Sequence, residues 1–331
     1  IHTVENCAYD IIHLLSQLDI PTTTDIRLCA HSFGGKVALR YLEICQGYRS
    51  NSATIMSGAL KQPSPVSMDY DVALTPSIRT MLQPSHVWIV DSIPAPHSHN
   101  LHSYDKNNMD SGSNTTSNPT SNPSAYSTVD TVIHALLSLP AVFPSKQYVL
   151  DELTSPPHNI SMAIAQWIAT SIVDAEVEAG SSAKPSCRFM FDIRHIVELY
   201  IDYCKTDMFP FLHDYSTDAY HNGIGGGVGG EAKTKIQFIC AGKNNAWTQS
   251  LPGSPDTDDD AVSDADLELL LDTYRAGSGT SSGAVATPLQ FLEAIESQSP
   301  SIAVRHMSHV GHWVHSEDPK GFISLVLEHS D

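Results

Sequence analysis

The stretch Leu28-Cys29-Ala30-His31-Ser32-Phe33-Gly34-Gly35-Lys36-Val37-Ala38-Leu39 constrains this chain more than any other. The run Ile26-Arg27-Leu28-Cys29 reads as a central strand, and Gly34 to Cys45, with Val37, Leu39, Tyr41, Leu42 and Ile44 turned inward, reads as a helix. Only a few residues separate the two, so the backbone must turn sharply at Ser32. Strand, tight turn and helix make the βα unit of a parallel sheet. Such a turn crowds the positions two residues before and after the serine, where the small Ala30 and Gly34 stand, Ala30 departing mildly from the glycine usual at the first. It lifts the hydroxyl out of the sheet toward the helix N-terminus and leaves the Phe33 N–H to donate to an oxyanion.

The rest of the chain alternates in the same way. Residues 3–18 carry apolar positions at helical spacing (Cys7, Ala8, Ile11, Ile12, Leu15), and Pro21 ends that helix. Val87-Trp88-Ile89-Val90, Ile236–Cys240 and Ile302–Arg305 read as further short buried strands, with helices at 266–275, Pro288–Glu296 and 319–329. Residues 129–205 show helical patterns at Val129–Leu139, Lys146–Leu153, Ile160–Val173 and Phe191–Cys204 and little strand, which reads as a helical lid. The expected organisation is a core in two parts, 1–96 and 206–331, with a low-complexity insertion at 97–128 and the lid at 129–205. Loops 222–233, 252–265 and 276–286 read as flexible.

Val310-Gly311-His312-Trp313-Val314-His315 follows the last strand, so a neutral imidazole at His312 is the natural general base for Ser32. For the acid, Asp91 stands at the C-terminal end of a buried strand and leads. Asp192, which reads better as a helix cap, and Asn245, which can orient an imidazole without stabilising its cation, stay open as weaker choices. His306, His309, His312 and His315 recur every third residue, but on a loop that spacing does not converge four rings on a metal. The glycine-rich 222–230 lacks the Gly-Lys-Ser/Thr ending of a phosphate loop. No metal or organic cofactor is expected.

Eighteen Lys and Arg against 37 Asp and Glu give a formal charge of −19, which repels phosphate backbones and makes nucleic acid an unsuitable partner. No apolar run reaches the ~18 residues of a membrane span. Six scattered cysteines without a CxxC pair suit an intracellular, reducing compartment. The glycosylation-like triplets at Asn114 and Asn159 are of a kind that chance produces often.

These residues resemble the alpha/beta-hydrolase superfamily, and more narrowly the group of alpha/beta-hydrolase domain-containing protein 11 and its esterase relatives. The likeness rests on His31-Ser32-Phe33-Gly34-Gly35-Lys36-Val37, Val87–Asp91, Ala165-Gln166-Trp167-Ile168-Ala169-Thr170, Phe191-Asp192-Ile193 and Gly311-His312-Trp313-Val314-His315. The resemblance implies a mostly parallel sheet with helices on both faces and an inserted helical lid. It also implies Ser32 as nucleophile, His312 as base and Asp91 as acid, acting on a small carboxylic ester or acyl thioester. Relatives open with strands and a His-Gly loop that supplies a second oxyanion donor, so the expectation is of a chain lacking its N-terminal part. A non-catalytic receptor or scaffold, and a cofactor-free acyltransferase or perhydrolase, are the competing readings.

Overall fold

The computed structural model describes residues 2–18, 20–21, 24–46, 83–96, 128–175, 186–216, 234–249 and 287–328. In chain order its elements are α1 (Val4–Gln17), β1 (Arg27–His31), α2 (Phe33–Cys45), β2 (His86–Val90), α3 (Thr128–Ser138), α4 (Lys146–Thr154), α5 (Met162–Ala169), β3 (Ile172–Asp174) and β4 (Cys187–Phe189). There follow α6 (Ile193–Lys205), α7 (Phe209–Ser216), β5 (Lys235–Ala241), α8 (Pro288–Gln298), β6 (Ile302–Met307), α9 (Val314–Glu317) and α10 (Pro319–Leu327). They divide between two compact units, one drawn from Ile1–His2 and Ser98–Cys204, the other from Thr3–His97 and Lys205–Asp331.

The larger unit is built on a parallel sheet in the order β1-β2-β5-β6. Side chains alternate across it because a strand sends successive residues to opposite faces. Val87, Ile89, Ile236, Phe238 and Val304 face α2, α7 and α8, where Leu39, Leu42, Phe209, Phe291 and Ile295 complete a buried cluster. Trp88, Val90, Ile239 and Met307 face the other way, against Val314 of α9 and Phe322 and Leu325 of α10. Both faces of a parallel sheet must be covered in this way, since each is apolar. An open parallel sheet, helices on both faces and a serine turn closing β1 together make an alpha/beta-hydrolase fold.

Local sequence fixes where the helices start. The Thr3 hydroxyl accepts the Asn6 N–H at 3.1 Å and caps α1, whose buried Val4, Ala8 and Ile12 form a stripe at i, i+4 and i+8. Thr287 and Gln290 close a reciprocal capping box ahead of Pro288 at the head of α8.

The smaller unit corrects one expectation. Helix α5 stops at Ala169 instead of running to Val173, and Ile172–Asp174 pairs antiparallel with Cys187–Phe189. The β-branched pair Ile172-Val173, just past Thr170-Ser171, packs better on a pleated surface than on a helix. Ile172, Cys187 and Phe189 join Phe143, Val149, Leu153, Ala165 and Ile168 in that unit's core. The expected insertion at 97–128 lies outside the described residues apart from Thr128, as do loops 222–233, 252–265 and 276–286 and the expected helix 266–275. Among the described residues no helix is long and apolar enough to cross a membrane.

Phe238 is fully buried at the middle of β5, while Ile323 on α10 is half exposed. Phe238→Ala should lower unfolding free energy by about 3–5 kcal/mol. Ile323→Ala should stay within about 0.5 kcal/mol. Denaturant titration of the two variants reads the contrast.

Candidate active site

Three strand ends meet at one edge of the parallel sheet. Ser32 follows β1 with φ 54° and ψ −122°, a conformation that costs a non-glycine residue on the order of 1–3 kcal/mol. It is held because the ladder runs one residue beyond the strand: the Ser32 N–H donates to Val90 O at 2.9 Å, and the Gly35 N–H donates to Ser32 O at 2.9 Å. Ser32 occupies the N-cap of α2, yet its side chain makes no capping bond. The hydroxyl is therefore not spent on the helix's own amides. Phe33 is the first residue of α2, where a helix directs its amides outward along the axis.

The glycine requirement differs from the expectation. A Cβ on Gly34 would lie 3.8 Å from the Ala30 Cβ, an ordinary contact, because the small Ala30 side chain leaves room. The intolerant position is Gly35. A Cβ there would overlap the Ser92 side chain and come within 3.0 Å of Ile89 Cγ2, so this glycine sets how closely α2 approaches the turn after β2.

That turn carries Asp91, which also has a positive φ of 43° and is 2% exposed. Its N–H continues the ladder to Ile239 O at 2.8 Å. Its carboxylate takes His312 Nδ1 at 2.7 Å and Asn244 Nδ2 at 2.8 Å on Oδ2, and Trp247 Nε1 at 2.5 Å and the Ala241 N–H at 3.1 Å on Oδ1. Burial by itself would push this carboxyl up. The bonds from His312, Trp247, Asn244 and Ala241 outweigh it and hold the group below the ordinary carboxylate value of 3.8. Behind the turn, the fully buried Lys36 donates to Ala95 O and Thr206 O, both at 2.8 Å, pinning the chain after Asp91 to α2.

His312 stands on the loop after β6. The loop is tied down by Lys243 N–H to Val310 O at 3.0 Å and Gly311 N–H to Glu317 Oε2 at 2.8 Å. A Cβ on Gly242 would overlap the Ser308 backbone, so β5 and β6 must part at a glycine. An ionised Asp91 requires His312 Nδ1 to carry the proton, which leaves Nε2 as the acceptor. Among the described residues no hydrogen bond joins the Ser32 hydroxyl to the His312 ring; without a substrate such bonds are commonly long or poorly aligned.

The other candidates are engaged elsewhere. Asp192 lies in the smaller unit, where its carboxylate accepts the Arg194 guanidinium and backbone N–H and sits at a pKa of about 2 because of them. The amide that matters after β5 is Asn244, which binds Asp91, instead of Asn245. The regularly spaced histidines diverge: His306 approaches Glu293 at 3.5 Å and His309 bonds Asp318 at 2.9 Å. No group of three metal-ligating side chains gathers among the described residues. Trp247 and His31 escaped the sequence reading. A tryptophan shortly after a strand end carries a signal, since a buried indole N–H needs an acceptor.

No family model and no curated protein matches the chain. Solved structures similar to it include an N-formylmaleamic acid deformylase from Pseudomonas putida S16, 10% identical, covering 98% of this chain and 73% of that one with a TM-score of 0.41. An esterase of M. tuberculosis is 11% identical over 98% of this chain and 68% of its own, with a TM-score of 0.40. Tomato methylketone synthase I, solved with 2-tridecanone, is 10% identical over 97% and 76%, with a TM-score of 0.29. At such scores the reading of the site rests on its own geometry.

Gly34→Ala should leave stability within about 1 kcal/mol, whereas Gly35→Ala should cost about 1–3 kcal/mol through overpacking; thermal melts of both measure the difference. A second expectation concerns pH. Since Asp91 is held below 3.8 in the fold, its network stabilises the protein above that pH and loses its contribution as pH falls through the lower folded value. The stability gap between wild type and Asp91→Asn should therefore shrink in acid below about pH 4, as the folded carboxylate is protonated.

Proposed function

We propose that the protein is a serine hydrolase that cleaves a carboxylic ester or acyl thioester through an acyl-enzyme on Ser32. The observation that carries this reading is the 2.7 Å bond from His312 Nδ1 to a buried, fourfold-bonded Asp91, one strand away from a strained serine whose hydroxyl caps nothing. An imidazole held in that tautomer presents Nε2 to a nucleophile, and the ionised carboxylate stabilises the cation that forms when Nε2 takes a proton.

In this reading Ser32 Oγ attacks the acyl carbon while His312 Nε2 takes its proton. The carbonyl oxygen becomes an oxyanion facing the Phe33 N–H, and the collapse of the intermediate returns the proton from His312 to the departing alcohol or thiol. Water then repeats the sequence against the acyl-enzyme and releases the acid. The helical segment 129–205 enters the proposal as the lid. Narrower kinship with the alpha/beta-hydrolase domain-containing protein 11 group belongs to it as well. So does an intracellular, reducing compartment, which suits six cysteines that form no disulfide among the described residues.

The test is covalent labelling by an activated fluorophosphonate, using the protein as its gene encodes it, any sequence upstream of Ile1 included. Ser32→Ala should abolish labelling, and Asp91→Asn should slow it by about 10⁴-fold. Asp192→Asn should leave the rate within a few-fold, as a residue paired with Arg194 should. A folded wild-type protein that stayed unlabelled would overturn the hydrolase reading in favour of a non-catalytic receptor.

A further inference from the structure

Within the site, one polar side chain has no part in the mechanism above. His31 precedes Ser32 and closes β1, with Val90 as its register partner. Its Nε2 lies 2.7 Å from the backbone carbonyl of His312 itself. Its ring packs at 4.7 Å from the His312 ring, 5.4 Å from Trp313 and 5.0 Å from His315. One side chain thus spans from the residue next to the serine to the residue that carries the base, across 281 positions of sequence.

We propose that His31 is a positioning residue, which fixes the His312 backbone through this bond and so sets where the His312 ring stands relative to Ser32. The inference rests on the hydrolase reading for its effect on rate, but the positioning itself is a property of the fold. Asp91 holds the His312 ring by one nitrogen, a single bond about which a ring on a loop can still tilt. A second hold on the same residue, placed at its carbonyl, removes that freedom.

The residue type suits the task. A carbonyl acceptor needs a donor, so the proton of a neutral His31 belongs on Nε2. Desolvation by burial pulls His31 below its ordinary value, against the bond to His312 O; the charges of His312 and His315 lower it further, and that of Asp91 opposes them. His31 is then an uncharged donor at neutral pH. A lysine could donate to the same carbonyl, but it would set a fixed cation beside the ring that must itself become cationic.

Three measurements decide the matter. In the wild type, nitrogen NMR should find His31 as the Nε2–H tautomer; an Nδ1–H tautomer would overturn the proposal even if no variant folded. His31→Met and His31→Gln are near-isosteric, and only glutamine keeps an N–H at the Nε2 position. The downfield resonance of the His312 Nδ1 proton should broaden or vanish in His31→Met and return in His31→Gln. Fluorophosphonate labelling at saturating probe should fall by about 10²-fold in His31→Met, with half-saturation unchanged, and recover to within a few-fold in His31→Gln. If the wild type labels and His31→Met matches it in rate and resonance, the positioning role is wrong while the hydrolase reading survives. If the wild type never labels but the resonance follows the methionine and glutamine variants as stated, His31 positions His312 and the hydrolase reading is the one that fails.

Discussion

A carboxylate buried to 2% exposure is the constraint around which this site is built. Removing such a charge from water costs several kcal/mol even after relaxation. Asp91 meets that cost with four donors drawn from three places in the chain: the end of β5, the turn that follows it, and the loop after β6. At about 1.5–3 kcal/mol for each bond to a charged group, the sum is of the same order as the penalty. The balance holds only while all four donors are in place. Asp91 is thus a clamp on the backbone as well as a partner for His312.

The parallel sheet makes that clamp possible. Its strands all end at the same edge, so the residues that follow β1, β2, β5 and β6 are brought together without any long-range fitting. The ladder extends past β1 and β2 through Ser32 and Asp91, both at positive φ. Backbone bonds hold each residue in a conformation that an isolated chain would leave. Gly35 and Gly242 then allow the close approaches, of α2 to the turn after β2 and of the β5 end to the β6 loop. Two histidines complete the arrangement, one bonded to Asp91 and one to the carbonyl behind it.

Much of this was legible in the sequence, for physical reasons. The strands β1, β2, β5 and β6 are short runs rich in apolar residues, a pattern that local hydrophobicity reports directly, and their bounds moved by one or two residues at most; β1, read as a central strand, lies at the edge of the described sheet with Cys29 exposed. Ser32, Asp91 and His312 were visible because each follows such a run. What was not legible depended on which groups meet across the fold. Asn244 and Asn245 are indistinguishable as letters, and only the turn geometry selects Asn244 for Asp91. Trp247 looks like core until its indole nitrogen is seen on the carboxylate. Gly34 looked obligatory because so sharp a turn was expected to leave no room two residues after the serine, whereas the small Ala30 side chain leaves that room and the tight contact is between Gly35 and Ser92. Strand β3 hid at the end of one helical pattern and β4 between two of them, because a strand of three residues has too few positions to show a period.

The most direct test of the central claim is a crystal structure of the protein after reaction with a small phosphonate. The account predicts density continuous with Ser32 Oγ, His312 Nε2 within about 3 Å of an adduct oxygen, and a phosphoryl oxygen within about 3 Å of the Phe33 N–H. His312 Nδ1 should remain on Asp91. An adduct on another residue, or a His312 ring turned away with Nε2 more than about 6 Å from the Ser32 oxygen, would contradict it.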